Sequence, residues 1–311
     1  MVSRALIVIV GPTAVGKTEL ALRLCEEFGG EVISADSRQM YKGMDIGTAK
    51  PTVEERRRVP HHLVDLIEPH EGFTLVQYQE MAYEAIDEVL SGGRLPFLVG
   101  GTGLYVKALV EGFSVPRVKP NLARRRALMK EARERGAEAL HARLKEVDLT
   151  AAARIDPQNV RRVVRALEVY EATGQPISRL QRKEPPPYRI LKMGLAMERK
   201  RLYRRIDERV DRMMGMGLLE EVKRLVEKGY GYHLPAMSGL GYKQLGLYLR
   251  GEVDLGEAVR MIKSETRRFV RQQYKWFRLE DETINWIEVD GDPYLEARSL
   301  VTAFLKPDSF V

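Results

Sequence analysis

The amino-acid sequence predicts an α/β protein: a parallel sheet flanked by helices and interrupted by a helical insertion. Three observations predict it. An unbroken aliphatic run over residues 5–10 leads into a Gly-rich turn and a helical pattern, "LPFLVGGTGLYVKALV" repeats that order, and residues 117–189 contain no good strand. Strands alternating with helices need crossover connections, which make neighbouring strands parallel. At 311 residues the chain is long enough for two domains, or for one with a large insertion.

Residues 5–10 have the continuous apolar character of a strand buried on both faces. Beyond the turn, Leu20, Ala21, Leu24, Cys25 and Phe28 recur at helical spacing until Gly29 and Gly30 stop the helix. "EVISAD" is a second strand ending at Asp36, "TLVQYQEMAYEAIDEVLSGG" a helix, and "LPFLV" a strand ending at Gly100 and Gly101. At Pro116 the texture becomes Arg-rich and strandless, until Pro185, Pro186 and Pro187 close the run. Strand character resumes in "RILKMGLAM", followed by one long helix over residues 198–228, another over 255–278, and a short strand in "INWIEV". The expected division is a core of residues 1–116 and 190–311 around an insertion of residues 117–189. His61 and His62 are adjacent, and adjacent side chains rarely face the same way, which favours a loop role over a metal pair.

Composition narrows the class. With 44% hydrophobic and 31% charged residues the chain reads as globular rather than disordered. The apolar start is too short to span a membrane and lacks a signal-peptide cleavage pattern, so a cytoplasmic address is expected, with no membrane partner. One cysteine, Cys25, excludes a disulfide framework and a Cys-rich zinc finger. No feature calls for an obligate protein partner.

"GPTAVGKT" is a phosphate cradle. Gly11 and Gly16 let the backbone of Thr13 and Ala14 wrap an anion, the following helix N-terminus adds partial positive charge, Lys17 adds a full charge, and the Thr18 hydroxyl suits Mg²⁺ bridging two phosphates. Any pyrophosphate ester fits this pattern; it does not specify ATP. An ATPase or kinase would offer an apolar strand ending in a Mg²⁺-binding Asp. Here that place is taken by Gly100 and Gly101, and only "VISAD" ends in a carboxylate. Asp36 therefore stands where open parallel sheets put their ligands, although a strand-end Asp also serves as a simple cap. In "GGTGLY", Thr102 places a hydroxyl at the tip of a second Gly-rich turn, where it can donate to a phosphate oxygen.

Advancing 100° per residue through "RLYRRIDERVDRMMGMGLLEEV" gathers Leu202, Ile206, Val210, Met213, Met216 and Gly217 on one side. Arg209 falls inside that arc and Arg205 at its border, while Arg204 and Arg212 point away. An arginine in an apolar arc needs an anion, either a ligand phosphate or an internal carboxylate.

Net charge is +7, and its distribution is more informative than its size. Residues 117–189 hold 18 Lys and Arg against nine Asp and Glu; the remainder holds 33 against 35. Within the basic segment, Arg161, Arg162 and Arg165 cluster on one helix. Near the end of the core, "ETRRFVRQQYKWFR" interleaves Arg267, Arg268, Arg271 and Lys275 with Phe269, Tyr274, Trp276 and Phe277. Basic and aromatic side chains together suit RNA, while Phe269 and Trp276 read as the helix's core face.

The runs "GPTAVGKT", "ISADSRQMYKGMDIGTAKP", "PHHLVDL", "LVGGTGLYVKAL", "RRVVRALEVYEATG", "RIDERVDRMMGMGLLEEV", "LGYKQL" and "RQQYKWFR" together resemble the bacterial tRNA dimethylallyltransferase (isopentenyltransferase) family, over about residues 11–278. The resemblance implies a P-loop NTPase-like fold and a helical insertion gripping tRNA. It also implies Mg²⁺, and transfer of a dimethylallyl group from dimethylallyl pyrophosphate to N6 of the adenosine at position 37 of the tRNA anticodon stem-loop. It assigns Asp36 as general base, and Lys17, Thr102 and Arg209 to the pyrophosphate. tRNA contacts fall on Asp36, Ser37, Arg38, Gln39, Arg161, Arg162, Arg165, Ser238, Gly241, Tyr242 and Lys243, with one further arginine matched equally well by Arg124 or Arg125. Three rivals stand beside it: an isopentenyltransferase acting on free adenine nucleotides, a small-molecule P-loop kinase and a non-catalytic RNA-binding module; the basic insertion argues against the first and the two strand-end ligand turns against the last.

Overall fold

The computed structural model describes residues 4–114 and 116–306. It divides into two compact units, Met1–Val110 with Pro187–Val311, and Glu111–Pro186, each boundary falling somewhat before the composition change at residues 117 and 189. Chain order in the larger unit begins with strand β1 (Ala5–Val10), helix α1 (Lys17–Phe28), β2 (Gly30–Ser34), α2 (Val53–Arg58), β3 (His61–His62), α3 (Leu75–Ser91), β4 (Leu95–Val99) and α4 (Gly103–Val110). The smaller unit holds α5 (Leu122–Arg135), α6 (Ala137–Val147), α7 (Leu149–Arg154), α8 (Val160–Thr173) and α9 (Ile177–Leu180). The larger unit then resumes with β5 (Arg189–Ala196), α10 (Arg199–Gly215), α11 (Leu218–Glu227), α12 (Tyr242–Leu249), α13 (Leu255–Trp276), β6 (Asn285–Glu288) and α14 (Tyr294–Leu305).

The six strands form one parallel sheet in the order β3-β2-β4-β1-β5-β6. All of β1 is buried, and its side chains alternate between two cores. Leu6, Val8 and Val10 meet Ile33, Leu98 and the buried residues of α3 and α4. Ala5, Ile7 and Ile9 meet Leu20, Leu24 and Cys25 of α1, Leu202 and Ile206 of α10, and Val301 of α14. Burial pushes the Cys25 thiol up, so it stays protonated as a small hydrophobe.

Adjacency in the sheet builds the site. With β2, β4 and β1 side by side, the loops after Ser34, Val99 and Val10 emerge together at their carboxyl ends. The register ties them: Gly100 N–H donates to the Ile9 carbonyl (3.2 Å), Ala35 N–H to Val99 (2.8 Å) and Thr102 N–H to Ala35 (3.1 Å). Asp36 thus lies two strand spacings from the cradle, about 10 Å.

Three expectations need correction. His61 and His62 form a two-residue edge strand beside β2, where His62 Nε2 meets Glu31 Oε2 at 2.6 Å and His61 Nδ1 meets the Val59 carbonyl. The long helix over residues 198–228 is two helices, α10 and α11, broken where Gly217 adopts φ +95°, a left-handed conformation open chiefly to glycine. Met216, counted in the apolar arc, sits at that break and is 65% exposed.

The smaller unit has its own core of Leu128, Leu140, Leu144, Val163, Leu167 and Val169. Side chains of Asn121, Asp148 and Asn159 cap α5, α7 and α8. Glu168, only 3% exposed, accepts Arg125 Nε and Nη2 (2.9 and 2.8 Å), Arg165 Nη1 (2.7 Å) and Asn121 N–H (2.8 Å).

Candidate active site

The cradle is tied together by its own lysine and by two left-handed turns of its backbone. Gly16 takes φ +113° and Ala14 φ +70°, turning the loop back over the α1 N-terminus. Lys17 Nζ donates to the carbonyls of Gly11 (3.0 Å) and Pro12 (2.8 Å). Burial and the neighbouring Arg209 charge bring its pKa down to about 7, against the opposing pull of Asp36. Lys17, Arg209 and Asp36 therefore share one electrostatic environment although they are far apart in sequence.

A cleft of about 280 Å³ runs along this group, lined among others by Thr13, Thr18, Asp36, Gly101, Arg205 and Arg209. Arg209 enters it from α10, and burial lowers its pKa, with Asp36 opposing and Arg212 adding to the effect. Among the described residues its guanidinium has no hydrogen bond or ion pair, and neither have those of Arg205 and Arg212. Among the described residues no carboxylate lies within ion-pair distance of Arg209; Asp36 acts on it only across the cleft. Arg212, expected to point away, lines the cleft as well. A helical wheel gives direction around an axis, whereas a long side chain at the border of a cleft can reach back into it.

Asp36 and Thr102 line one pocket at the strand ends. Asp36 Oδ1 accepts Arg38 N–H at 2.8 Å, fixing the turn after β2. Thr102 Oγ1 accepts Ser37 N–H (3.1 Å) and lies 3.4 Å from Ser37 Oγ. Arg38 is committed to the Pro235 carbonyl (2.8 Å), and Gln39 bridges Ser34 Oγ and the Ala49 carbonyl. A second pocket of about 350 Å³ opens from the same residues, its apolar lining including Ile206, Val210, Met213, Ile262 and Phe269. Phe269, read from sequence as core, is 38% exposed and lines this pocket. Spacing placed it on the inward face of α13, but that face meets a cavity at this point.

The other sequence candidates separate by their bonding. Tyr242 is 1% exposed and its hydroxyl donates to Glu221 Oε1 (2.5 Å); Glu221, itself buried, also accepts the N–H groups of Asp45, Ile46 and Gly47. The Tyr242 side chain therefore supports the loop wall and is turned away from solvent. Gly241 N–H is held by Gln244, whereas Lys243 is exposed and Ser238 Oγ donates to Pro235. In the smaller unit, Arg161 and Arg162 are exposed with guanidinium groups that have no partner among the described residues. Arg165 is held by Glu168 and the carbonyls of Val118 and Pro116, Arg125 by Glu168, and Arg124 by Glu171.

Gln273 of α13 carried no sequence expectation. It is 4% exposed, accepts Thr13 N–H at 2.9 Å and donates to the Gly101 carbonyl at 3.1 Å. It stands 260 positions from Thr13, and no local pattern could have paired them.

Fold and site together define a P-loop α/β protein with an anion cleft open to a second, partly apolar pocket. Residues 39–280 match the IPP transferase family. A tRNA dimethylallyltransferase of Roseiflexus sp. (strain RS-1) is 54% identical over 273 residues, which are 88% of this chain and 90% of that protein. The crystal structure of the full-length tRNA isopentenylpyrophosphate transferase from Bacillus halodurans is 41% identical, with a TM-score of 0.73 over 97% of both chains. A eukaryotic dimethylallyltransferase described as acting on tRNA is 26% identical, with a TM-score of 0.82 over 97% of this chain and 79% of that one. The chain belongs to the tRNA dimethylallyltransferase family of transferases. Among the described residues no helix is long and apolar enough to cross a membrane.

Proposed function

We propose that the protein transfers a dimethylallyl group from dimethylallyl pyrophosphate to N6 of the adenosine at position 37 of tRNA, giving N6-isopentenyladenosine and pyrophosphate. The observation that carries this reading is the Arg209 guanidinium, free of any ion pair among the described residues, facing Lys17 and Asp36 in a cleft where β4 leads into Gly100 and Gly101 instead of a Mg²⁺-binding aspartate for nucleotide hydrolysis. The cradle and Arg209 hold the pyrophosphate, and the adenine enters the pocket lined by Phe269. As the amine nitrogen attacks the allylic carbon, the carbon–oxygen bond breaks and its electrons pass to the pyrophosphate, where Lys17, Thr102 and Arg209 meet the growing charge. Asp36 takes the amine proton.

Mg²⁺ fits at Thr18, whose exposed hydroxyl opens on the cleft. Among the described residues no three His, Cys, Asp or Glu side chains cluster to cage a metal, and a hard cation held by one hydroxyl and the donor's own phosphate oxygens needs no such cage. Bound there, it neutralises phosphate charge. The exposed Arg161, Arg162 and Lys243 are the tRNA contacts best placed by their freedom; Arg124, Arg125 and Arg165 serve the fold first. The reading places the enzyme with its tRNA in the cytoplasm.

Mass spectrometry of tRNA after incubation with dimethylallyl pyrophosphate and Mg²⁺ tests the reading: an added isopentenyl mass on the adenosine at position 37 is expected, and its absence would defeat it. Modified AMP without modified tRNA would favour the free-nucleotide rival, and consumption of ATP the kinase. Asp36→Asn should slow single-turnover transfer by roughly 10² to 10⁴ with tRNA affinity nearly intact.

A further inference from the structure

Two Gly-rich turns, one for the donor and one beside the general base, are cross-linked by a single side chain. Gln273 Oε1 takes the Thr13 N–H of the cradle, and Gln273 Nε2 reaches the Gly101 carbonyl. From Gly101 the connection continues through Thr102, whose N–H holds the Ala35 carbonyl and whose hydroxyl receives Ser37 N–H next to Asp36. The space is kept for it: a Cβ on Gly101 would collide with Gln273 Nε2. The amide bonds both a donor and an acceptor, so it reads the separation of the turns from both sides. Gln273 also lines the second pocket, one helical turn beyond Phe269.

We propose that Gln273 is a positioning residue for the transfer step: it sets the distance between the leaving pyrophosphate and the Asp36–Thr102 pair, and so the approach of amine to allylic carbon. The inference rests on the transfer reading above. An error of about 1 Å in such an approach costs on the order of a hundredfold in rate. Binding of either substrate alone depends little on the separation, since the cradle and Arg209 carry ground-state donor binding and Thr102 adds to them chiefly as charge grows on the leaving group.

Gln273→Met keeps length and bulk but removes both polar atoms. Expected is a roughly tenfold to hundredfold fall in single-turnover rate at saturating donor and tRNA, with both dissociation constants within about threefold of the parent. Gln273→Glu, which keeps an acceptor for Thr13 but sets an oxygen against the Gly101 carbonyl, should be intermediate. Gly101→Ala should slow transfer too, and should add less in the Gln273→Met background than alone, because both changes break one link. Should Gln273→Met fail to fold, the other two variants decide. A normal rate in the folded variants, whatever their melting temperature, would overturn the proposal, as would a loss confined to donor affinity. Hydrogen exchange gives a readout independent of the reaction. Inorganic pyrophosphate with Mg²⁺ should slow exchange over residues 100–103 in the parent and not in Gln273→Met. No protection in the parent would overturn the link, whereas protection without any transfer to tRNA would defeat the proposed reaction instead.

Discussion

The arginines of the anion cleft and those of the smaller helical unit are bonded in opposite ways. In the cleft, Arg205, Arg209 and Arg212 converge on the cradle with no carboxylate partner among the described residues. In the helical unit, Arg124, Arg125, Arg143 and Arg165 are tied to Glu171, Glu168 and Glu131 at 2.5–2.8 Å. One residue type thus has three uses here. Unpaired at the cleft, it awaits a ligand anion; paired, it holds helices together; unpaired on an open helix surface, like Arg161 and Arg162, it offers charge to a polyanion. Net charge reports the sum of these uses and cannot separate them.

The sharpest way to break the comparison is Arg209→Met. With no internal partner to orphan, the free protein should keep or raise its melting temperature, while single-turnover transfer at saturating donor falls by roughly 10², the scale of losing one preorganised charge donor. A lower melting temperature with a normal rate would make Arg209 structural. Arg125→Ala is the converse case. It strips two hydrogen bonds from buried Glu168 and should destabilise the smaller unit by about 2 kcal/mol in chemical denaturation, leaving the single-turnover rate of folded enzyme at saturating tRNA close to the parent's.

Lys17 supplies a pH test. Its ordinary value is 10.5 and its folded value about 7, so between those limits the unfolded chain holds a proton that the folded, ligand-free protein lacks. Its contribution therefore makes stability rise with pH across that window and fall as pH drops toward 7. Pyrophosphate restores the proton, so calorimetry at pH 8 in buffers of different ionisation enthalpy should find proton uptake approaching one per site, a contribution that Lys17→Met abolishes. The smallest effect belongs to the exposed pair: replacing Arg161 and Arg162 with alanine should weaken tRNA binding several-fold and lower the slope of log affinity against log salt by roughly 1.5. An unaltered slope would move the RNA surface elsewhere.

What sequence made legible was local. The cradle, Asp36 at a strand end and Thr102 at a turn tip are each defined by a few consecutive residues, and sheet order only had to bring them side by side. Arg209 was visible because burial of an arginine is anomalous, but its lack of a partner needed coordinates. Gln273, Glu221 and the inward reach of Arg212 were invisible because each depends on which surface a helix meets. Phe269 and Tyr242 show the same limit from opposite sides: the ring that spacing put on a core face lines a cavity, and the ring that the resemblance gave to tRNA is sealed in the core. Gly217 defeated the wheel itself by ending the helix the wheel assumed.

The uncompensated cleft has a consequence for turnover. A site that sets Lys17, Arg205, Arg209 and Arg212 against the single nearby charge of Asp36 should favour any pyrophosphate, spent as well as fresh, and most strongly the form bearing the most charge. That form is the departing product. On the transfer reading proposed above, product retention should then govern the steady state: inorganic pyrophosphate is expected to compete with the donor, and a coupled pyrophosphatase to speed multiple turnovers without touching the first.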